Sequence, residues 1–401
     1  MQTKLIKENI SEAAEIIKRG GLVAVPTETV YGLAGNGLDE NAVHEIYEVK
    51  GRPAVKPLSL MVPDRGAMKG YCEDVPEQAE YLAERFWPGP LTIVLKAKEL
   101  VPEIVRAGGT TVGLRCPDHP LTLEALRLAK LPFAAPSANP SGAESPKDAG
   151  KVMEYFSGRI DAVIDGGSCG IGRESTLIDM SARPYRILRQ GALAADDIAD
   201  ALVDNMKIIG ITGGTGCGKT TALETLKDFG ALVIDCDALY HELLESSTEL
   251  INEIDKYFPG AVTDGVLDRK ALGAVVFTDE EALRDLNIIT HRYIHLELRR
   301  RLREWAMQGG TLAAVDAIEL FSSGIAKRCC ATVGVTADRE VRLRRIQQRD
   351  GISLEYAMMR VNAQRPNEYF EEHCDYILQN NGTREEFSDC CLNFFLEVLN
   401  K

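Results

Sequence analysis

The sequence has no apolar run that approaches the ~20 residues needed for a membrane-spanning helix. Its first residues, Met1-Gln2-Thr3-Lys4, contain no apolar core of the kind found in signal peptides. The formal net charge of −14 argues against a polyanion-binding surface spread over the whole molecule, although it leaves room for a local basic pocket. These absences predict a cytosolic protein with no membrane partner.

Cysteine pairs at metal-binding spacing are also absent. The chain has ten cysteines, two pairs of which are adjacent at 329–330 and 390–391, but no C-x-x-C. A zinc site is therefore disfavoured. Disulfides are disfavoured in a reducing cytosol, so we expect buried thiols instead.

The length of 401 residues predicts two or three domains at about 150 residues per domain. Residues 192–205 are rich in Ala and Asp and are typical of a short amphipathic helix or a linker. Met206 then precedes a new apolar run directly, as if a second protein began there. We expect one domain over 1–195 and another over 206–401, with a linker at 196–205.

A glycine-rich stretch at 213–220 fits the pattern G-x-x-x-x-G-K-[ST] without a mismatch. It follows the apolar run 207–212, typical of a buried strand, and precedes 222–226, where a helix is expected to start. In that order the backbone N–H groups and the helix dipole favour a bound phosphate. Lys219 is then expected to neutralise the phosphates of ATP and Thr220 to ligate Mg²⁺, whereas a chance match would leave only a glycine turn.

The first half of the chain offers cations and hydroxyl groups in loops. Residues 50–58 carry three cations within seven positions, held by two prolines and a glycine, which favours an anion site over a solvated charged turn. Residues 135–142 place the Ser137 hydroxyl and the Asn139 amide two positions apart, a spacing suited to phosphate oxygens. The apolar pattern predicts helices at 11–19 and 39–49 and a strand at 22–25.

This half resembles the YrdC-like threonylcarbamoyl-adenylate synthases over about residues 5–195. The motifs stand in the family's order and at its spacing, at 26–33, 50–58, 86–92, 112–115, 135–142, 172–176 and 187–191. The resemblance implies a twisted mixed-sheet α/β domain that converts L-threonine, bicarbonate and ATP into threonylcarbamoyl-adenylate and pyrophosphate. That product feeds the modification of adenosine 37 in tRNAs that read codons beginning with A.

The resemblance also implies roles for single residues. L-Threonine would be bound by Thr29, Arg115 and Ser175, with the Ala135 backbone alongside. No protein nucleophile is needed, so catalysis would rest on positioning and charge neutralisation, with Arg52 and Lys56 as catalytic cations. Met61 stands where many members have a histidine near the amino acid. ATP would be bound by Lys50, Arg52, Lys56, Thr111, Ser137, Asn139, Ser145 and Arg189.

Other interpretations of the first half remain open. It could belong to a sister branch of the same fold with another role. It could also be a nucleotide- or RNA-binding module, including one for double-stranded RNA, that regulates a kinase in the second half. RNA and tRNA-modification proteins are therefore candidate partners, and threonine-dependent release of pyrophosphate would separate an enzyme from a binding module.

In the second half, an apolar strand predicted at 231–237 ends in two carboxylates, Asp235 and Asp237. Strand-end carboxylates in an α/β sheet face the ligand crevice, where one could ligate Mg²⁺ or accept a proton from a hydroxyl. A helix N-cap at Asp237 is a compatible alternative. The basic segment 341–350 predicts either a lid over ATP or a solvated helix face. The pattern also predicts a helical region from 266 through His291 and His295, and strands at 311–315, 331–335 and 375–378.

This half resembles dephospho-CoA kinase over about residues 206–400, at 212–220, 234–237, 267–273, 276–277, 345–351, 364, 375–377 and 380–382. The resemblance implies a parallel-sheet P-loop domain, like the nucleoside-monophosphate kinases, with a helical lid. It would transfer the γ-phosphoryl group of ATP to the ribose 3′-hydroxyl of dephospho-CoA.

The kinase resemblance makes Asp237 the base near that hydroxyl, Lys219 a catalytic cation, and Arg345 and Arg349 lid contacts. The phosphate cradle would comprise Gly214, Thr215, Gly216, Cys217, Gly218, Lys219, Thr220 and Thr221. Departures from the family pattern cluster on the acceptor side, at His241, Arg292 and Glu319. Another small hydroxyl compound is therefore an open alternative as the phosphoryl acceptor.

Overall fold

The computed structural model describes residues 2–263 and 265–400. The chain divides into two compact units. The first extends to Asn205 and includes Met307–Gly309, and the second begins at Met206 and contains the remaining residues. We describe each unit by itself.

A ten-stranded mixed sheet forms the centre of the first unit, in the order β1-β8-β2-β3-β7-β4-β6-β5-β9-β10. The pairings of β5 show its mixed character, since β5 is antiparallel to β6 and parallel to β9. Most side chains of the inner strands are buried, as expected for a sheet covered by helices. The strands are β1 Lys4–Ile6, β2 Val23–Val25, β3 Gly32–Asn36, β4 Ser59–Met61, β5 Leu91–Lys96, β6 Thr111–Arg115, β7 Phe133–Ala134, β8 Ala162–Ile164, β9 Thr176–Asp179 and β10 Arg186–Arg189.

In the described part of the first unit, the sheet is accompanied by eight helices and a short 3₁₀ turn at Arg65–Ala67. The second of them begins after Asp39, whose side chain accepts from the Asn41 N–H, and ends at Gly51 in the left-handed conformation. The helices are α1 Ile10–Lys18, α2 Glu40–Lys50, α3 Met68–Tyr71, α4 Glu77–Phe86, α5 Glu103–Arg106, α6 Pro120–Ala129, α7 Ala149–Phe156 and α8 Ala195–Asp204.

The segment expected as a linker at 196–205 lies almost entirely in α8. This helix contacts α4 within the first unit and buries Ile198 and Leu202, which stand four residues apart on one face. Residues at this spacing form an apolar stripe, which explains why the segment packs as a helix.

A five-stranded sheet forms the centre of the second unit, in the order β12-β15-β11-β16-β17, and all its pairings are parallel. A separate antiparallel pair joins β13 to β14. The mixed sheet of the first unit and the parallel sheet of the second confirm the expected α/β class. The strands are β11 Lys207–Thr212, β12 Leu232–Asp235, β13 Val262–Thr263, β14 Val266–Leu267, β15 Leu312–Asp316, β16 Ala331–Thr336 and β17 Tyr376–Gln379.

The helical region predicted from residue 266 is interrupted. Residues 266–267 pair as a strand, and two aspartates then cap separate helices: Asp268 accepts from the N–H groups of Lys270 and Ala271, and Asp279 accepts from that of Glu281. A 3₁₀ turn occurs at Ile325–Arg328. The helices are α9 Lys219–Asp228, α10 Cys236–Ser246, α11 Thr248–Tyr257, α12 Arg269–Val276, α13 Glu280–Met307, α14 Arg339–Asp350, α15 Leu354–Asn362, α16 Asn367–His373 and α17 Arg384–Leu399.

Three properties bear on the kinds of site to consider. Among the described residues, no helix combines the length and apolar character that crossing a bilayer requires. Within 2–263 and 265–400, no cluster of three or more His, Cys, Asp or Glu side chains is arranged for a metal ion. All ten cysteines are free thiols.

Candidate functional sites

The phosphate loop joins β11 to α9, with Lys219 as the first helical residue. Two of its glycines are required by the structure. A Cβ atom on Gly213 would lie 2.2 Å from the Val335 carbonyl oxygen, and one on Gly218 would lie 2.1 Å from Asn380 Nδ2. Gly218 also has a φ of +102°, which other residues rarely adopt. The loop therefore has the compact form that lets backbone N–H groups converge on a phosphate.

Lys219 lies between the loop and a buried carboxylate. Its Nζ donates to the Gly213 carbonyl at 3.1 Å and lies 3.6 Å from Asp316 Oδ1. Burial raises the pKa of Asp316 to about 6, and the charge of Lys219 partly opposes that rise. Among the described residues, Asp316 Oδ1 has no hydrogen-bond partner. Sequence analysis gave Asp316 no role, although an acid directly after the apolar run 311–315 was the available signal.

The start of the loop is held by Arg342 of α14 and by Gln364, which follows α15. Arg342 donates from Nε to the Thr215 carbonyl at 2.9 Å and from Nη2 to Gln364 Oε1 at 2.8 Å. The same Gln364 oxygen accepts from the Thr215 N–H at 2.8 Å. Arg342 is only 4% exposed, so this contact is internal, and burial lowers its pKa. The basic segment 341–350 was predicted to be a lid or a solvated helix face, and this arginine was not singled out within it.

The two arginines expected as lid contacts lie in different surroundings. Arg345 donates to the carbonyl and side-chain oxygens of Asn380 and to the Gly382 carbonyl, each at 3.0 Å. Asn380 in turn donates to the Cys217 carbonyl at 2.8 Å, which links Arg345 to the phosphate loop. Arg349 instead pairs with Asp350 at 2.6 Å, and its side chain is 58% exposed. Their contact with ATP stays a prediction.

A cavity of about 260 Å³ opens beside the carboxyl edge of the parallel sheet and contains Asp237 in its wall. The strand predicted to end at Asp237 ends at Asp235. The Asp235 side chain caps α10 by accepting from the N–H groups of Asp237 and Ala238, at 2.9 and 3.0 Å. The suggested N-cap at Asp237 is therefore wrong by two residues, and Asp237 lies in the first turn of the helix. Burial, followed by the charge of Asp235, raises the pKa of Asp237.

The three residues that depart from the kinase family pattern, His241, Arg292 and Glu319, lie in different places. Glu319 lines the cavity together with His291, whose pKa is lowered by burial and by the nearby His295. Arg292 pairs instead with Glu253 and is not part of the wall. His241 is exposed, and its charge lowers the pKa of Asp237. The rest of the cavity wall is mainly apolar, with Tyr240, Val276, Phe277, Leu283, Leu286, Ile294, Ala317, Ile318 and Ile325.

A second cavity, of about 160 Å³, lies in the first unit. The end of β6, the loop after β7, the loop before β9 and the end of β10 converge there. The polypeptide thus brings together side chains that are far apart in the sequence. Of the predicted residues, the wall contains Arg52, Arg115, Ala135, Ser137, Ser175 and Arg189, and Met61 lies beside them.

Arg115 is oriented by three neighbours. Its Nη2 donates to Thr29 Oγ1 and to Glu28 Oε1, both at 2.7 Å, and its Nε donates to the Gly89 carbonyl at 3.3 Å. The other Glu28 oxygen accepts from the Asp118 N–H at 3.0 Å. Thr29 therefore contributes by holding the arginine, and Glu28 is a site residue that sequence analysis missed.

Lys50 lies beneath the cavity and outside its wall. It is 3% exposed, and its Nζ donates to the carbonyl oxygens of Ser137 and Asn139. Burial, followed by the charge of Arg52, lowers the pKa of Lys50 to about 7, whereas Glu174 acts in the opposite direction. The visible role of Lys50 is thus to anchor the loop at 135–142.

Four other predicted ATP ligands also lie outside the wall. Lys56 is exposed, but its carbonyl accepts from Tyr47 Oη at 2.9 Å, so its loop is held in place. The Asn139 amide donates within its own loop. Thr111 shares a face of β6 with Arg115 because the two stand four residues apart. Ser145 Oγ donates to Glu174 Oε1 at 3.3 Å.

Arg189 connects the predicted ATP and threonine ligands. It pairs through Nη1 with Glu174, and its Nη2 donates to the carbonyl and hydroxyl oxygens of Ser175, at 2.9 and 3.2 Å. The Ser175 hydroxyl also shares a hydrogen bond with Thr92 at 2.8 Å. Sequence analysis assigned no role to Glu174 or Thr92.

The two units define a class of protein in which a P-loop nucleotide-binding domain follows a mixed-sheet domain with an arginine-lined cavity. The family model Sua5/YciO/YrdC, described as "Telomere recombination", matches residues 15–191. The family model described as "Dephospho-CoA kinase" matches residues 207–386. The two matches meet near the boundary between the structural units.

Known proteins also match each half of the chain separately. A "Threonylcarbamoyl-AMP synthase" of Pyrococcus abyssi is 48% identical, over 48% of this chain and 58% of its own length. A Methanocaldococcus jannaschii protein named "Putative threonylcarbamoyl-AMP synthase" is 34% identical, over 49% of this chain and 94% of its own. A "Dephospho-CoA kinase" of Anaeromyxobacter dehalogenans is 39% identical, over 45% of this chain and 86% of its own length.

The chain therefore belongs to two families: its first half to the threonylcarbamoyl-AMP synthases and its second half to the dephospho-CoA kinases. It spans about half the length of several of the synthases that it matches, 58% in the case of the Pyrococcus abyssi protein. The resemblances stated from the sequence motifs are thus confirmed as family membership.

Proposed function

We propose that the chain is a bifunctional enzyme. The first unit forms L-threonylcarbamoyl-adenylate and pyrophosphate from L-threonine, bicarbonate and ATP. The second unit phosphorylates the 3′-hydroxyl of dephospho-CoA with ATP. Family membership of both halves supports the proposal, and so does the chemistry of their two cavities. The adenylate would serve the N6-threonylcarbamoyladenosine modification of tRNA, so tRNA-modification proteins are the expected partners.

In the first unit, the supporting observation is that Arg52, Arg115 and Arg189 line one cavity together with the Ser137 and Ser175 hydroxyls. Arg115 would bind the threonine carboxylate, since a guanidinium matches a carboxylate in shape and charge. The amine and bicarbonate combine to a carbamate with loss of water. A carbamate oxygen then attacks the α-phosphorus of ATP, and pyrophosphate leaves.

No side chain needs to act as a nucleophile in that sequence. Arg52 and Arg189 would offset the negative charge that develops on the departing pyrophosphate, in a site whose donors are already oriented. Lys50 supports the orientation of these donors indirectly, because it fixes the backbone at Ser137 and Asn139. Positioning and charge neutralisation are the two effects that the arrangement can supply.

In the second unit, the supporting observation is the phosphate loop next to a sheet edge that also presents Asp316 and Asp237. Lys219 would neutralise the β- and γ-phosphates. Asp237 would accept the proton of the acceptor hydroxyl as its oxygen bonds to the γ-phosphorus and ADP leaves. Its raised pKa suits a general base, because a base works best when its pKa is not far below the working pH.

The side chains next to the phosphate loop fit a magnesium ion. Mg²⁺ prefers oxygen ligands, and the buried Asp316 has an oxygen without a hydrogen-bond partner among the described residues. Thr220 and Asp316 would hold the ion. When bound, it would neutralise charge on the transferred phosphoryl group.

The regulatory-module alternative for the first half is less well supported. An arginine held by Thr29 and Glu28 for a carboxylate, next to a serine-lined wall, suits a small amino acid better than a nucleic acid backbone.

Free thiols throughout the chain also fit the reducing cytosol as its location.

Two assays on the intact chain test the proposal. Pyrophosphate release from ATP should require both L-threonine and bicarbonate, and ADP formation should be stimulated by dephospho-CoA. We expect Lys56→Ala to abolish the first reaction and to leave the second intact. Unchanged pyrophosphate release would refute the role of the 50–58 loop, and a panel of hydroxyl acceptors would show whether Glu319 and His291 have changed the kinase substrate.

A further inference from the structure

Glu174 is the one acidic side chain among the described residues that line the arginine-rich cavity of the first unit. This is unexpected in a site proposed to bind ATP, because a carboxylate repels a triphosphate. The residue stands just before Ser175, in the loop that leads into β9. Its position therefore requires an explanation in terms of the proposed reaction.

The partners of Glu174 are residues that the synthase resemblance assigns to ATP. Its Oε2 accepts from Arg189 Nη1, and its Oε1 accepts from Ser145 Oγ at 3.3 Å. Its charge also acts on two further cations. Burial lowers the pKa of Lys50 and of Arg52, and the negative charge of Glu174 raises both pKa values in turn. One carboxylate thus acts as counter-ion to three cations of the site.

We propose that Glu174 is an internal counter-ion that competes with the triphosphate of ATP, and with pyrophosphate, for Arg189 and Ser145. The inference rests on the proposed function, because it assumes that this cavity binds ATP. Arg189 has to exchange one anion for another when the nucleotide binds. Glu174 pairs with Arg189 again when pyrophosphate leaves. This competition lowers the affinity for pyrophosphate and assists its release.

The magnitude of the competition follows from the exposure of the pair. The Arg189 and Glu174 side chains are 44% and 37% exposed, so solvent screens the interaction and its net contribution resembles that of a surface ion pair. Removing a competitor of this strength, together with its repulsion of the phosphates, should tighten anion binding by about three- to tenfold. A residue with a purely structural role would weaken binding when replaced.

The test is calorimetric binding of inorganic pyrophosphate and of ATP to the full chain with and without Glu174→Gln, which removes the charge and keeps the shape. Both proteins carry Lys219→Ala, so that the phosphate loop of the second unit contributes little to the measured binding. Glu154→Gln is the matched control, because Glu154 pairs with Lys151 on an exposed helix of the same unit. Binding of L-threonine to each variant shows that the site is folded. We expect about three- to tenfold tighter pyrophosphate binding for Glu174→Gln and no change for the control.

Unchanged or weaker pyrophosphate binding by a threonine-binding Glu174→Gln would overturn the inference. So would a lower kcat with unchanged affinities, because that pattern indicates a proton acceptor. Should the amide variant lose threonine binding, Glu174→Asp decides by the same measurement, since its shorter side chain weakens the contact with Arg189. Absence of ATP and pyrophosphate binding in the chain that carries Lys219→Ala alone would refute the proposed function of the first unit instead.

Discussion

Lys219→Ala offers the sharpest separation of the two proposed activities. The Lys219 and Asp316 side chains are 16% and 13% exposed, and their charged atoms are 3.6 Å apart. At an effective dielectric constant of ~20, that distance corresponds to a gross attraction of about 4–5 kcal/mol. Removing the lysine therefore leaves a largely buried carboxylate without its nearest cation.

Two losses follow from this change. The β- and γ-phosphates lose a cation, and a loss of one such charge contact commonly reduces kcat by about 10²–10³-fold. In addition, the pKa of Asp316, already about 6, should rise further, because Lys219 is the charge that lowers it. A protonated Asp316 near neutral pH could not hold a magnesium ion. We therefore expect kinase turnover to fall by at least about 10³-fold.

The assay is ADP formation with saturating dephospho-CoA, followed in parallel with threonine-dependent pyrophosphate release on the same preparation. Lys227→Ala is the matched control, because Lys227 is an exposed lysine on the same helix, α9. The variant should keep the synthase reaction at its original rate. Kinase turnover within about tenfold of the unmodified chain would refute the role of Lys219. Loss of both reactions would refute independent sites.

Three further predictions concern single residues. Arg115→Lys should raise the KM for L-threonine about 10–100-fold with a smaller effect on kcat, since a lysine cannot keep the contacts with Glu28, Thr29 and Gly89 that orient the cation; steady-state pyrophosphate release measures this. Gly218→Ala should destabilise the second unit by more than about 2 kcal/mol in a thermal melt, because its Cβ would meet Asn380 Nδ2 at 2.1 Å in a left-handed backbone. Because the pKa of Asp316 is raised to about 6, its carboxylate is ionised above that pH, so the concentration of Mg²⁺ needed for half-maximal kinase turnover should rise as the pH drops through about 6.

Features that depend on residues close together in the sequence could be predicted. The strand predicted at 207–212 matches β11, and the glycine loop and the helix after it lie where the motif requires. A short apolar run followed by glycines and a lysine leaves the backbone few alternatives. The segments that carry the YrdC-like motifs also contribute most of the residues in the cavity wall of the first unit.

Errors arose where one side chain decided between two local structures. The strand predicted through residue 237 stops at Asp235, because that carboxylate accepts from two backbone N–H groups and starts a helix. The helical region predicted from 266 breaks for the same reason at Asp268 and Asp279. An aspartate between apolar residues fits a strand end and a helix cap equally well until the surrounding chain is placed.

Residues that act across long sequence separations could not be predicted. Arg342 and Gln364 contact the phosphate loop from more than a hundred residues away. No local pattern marks Arg342, and Gln364 was named only as a match to the kinase family, without a role. The synthase resemblance implies that Lys50 binds ATP, and that role stays a prediction. The structure adds a contact that the motifs did not predict, because Lys50 is buried under the backbone of 137 and 139 at the end of α2.

The missed carboxylates have a common physical origin. Lys219, Arg115 and Arg189 each pair with an acid for which no role was predicted, namely Asp316, Glu28 and Glu174. A partly buried cation is costly without a partner, so a site that keeps arginines and lysines out of water must also supply anions. The cationic motifs alone therefore overstate the positive charge that a substrate meets. The pair of Arg189 with Glu174 is the most exposed of the three, so we expect Arg189 to exchange its carboxylate for a substrate anion at the lowest cost.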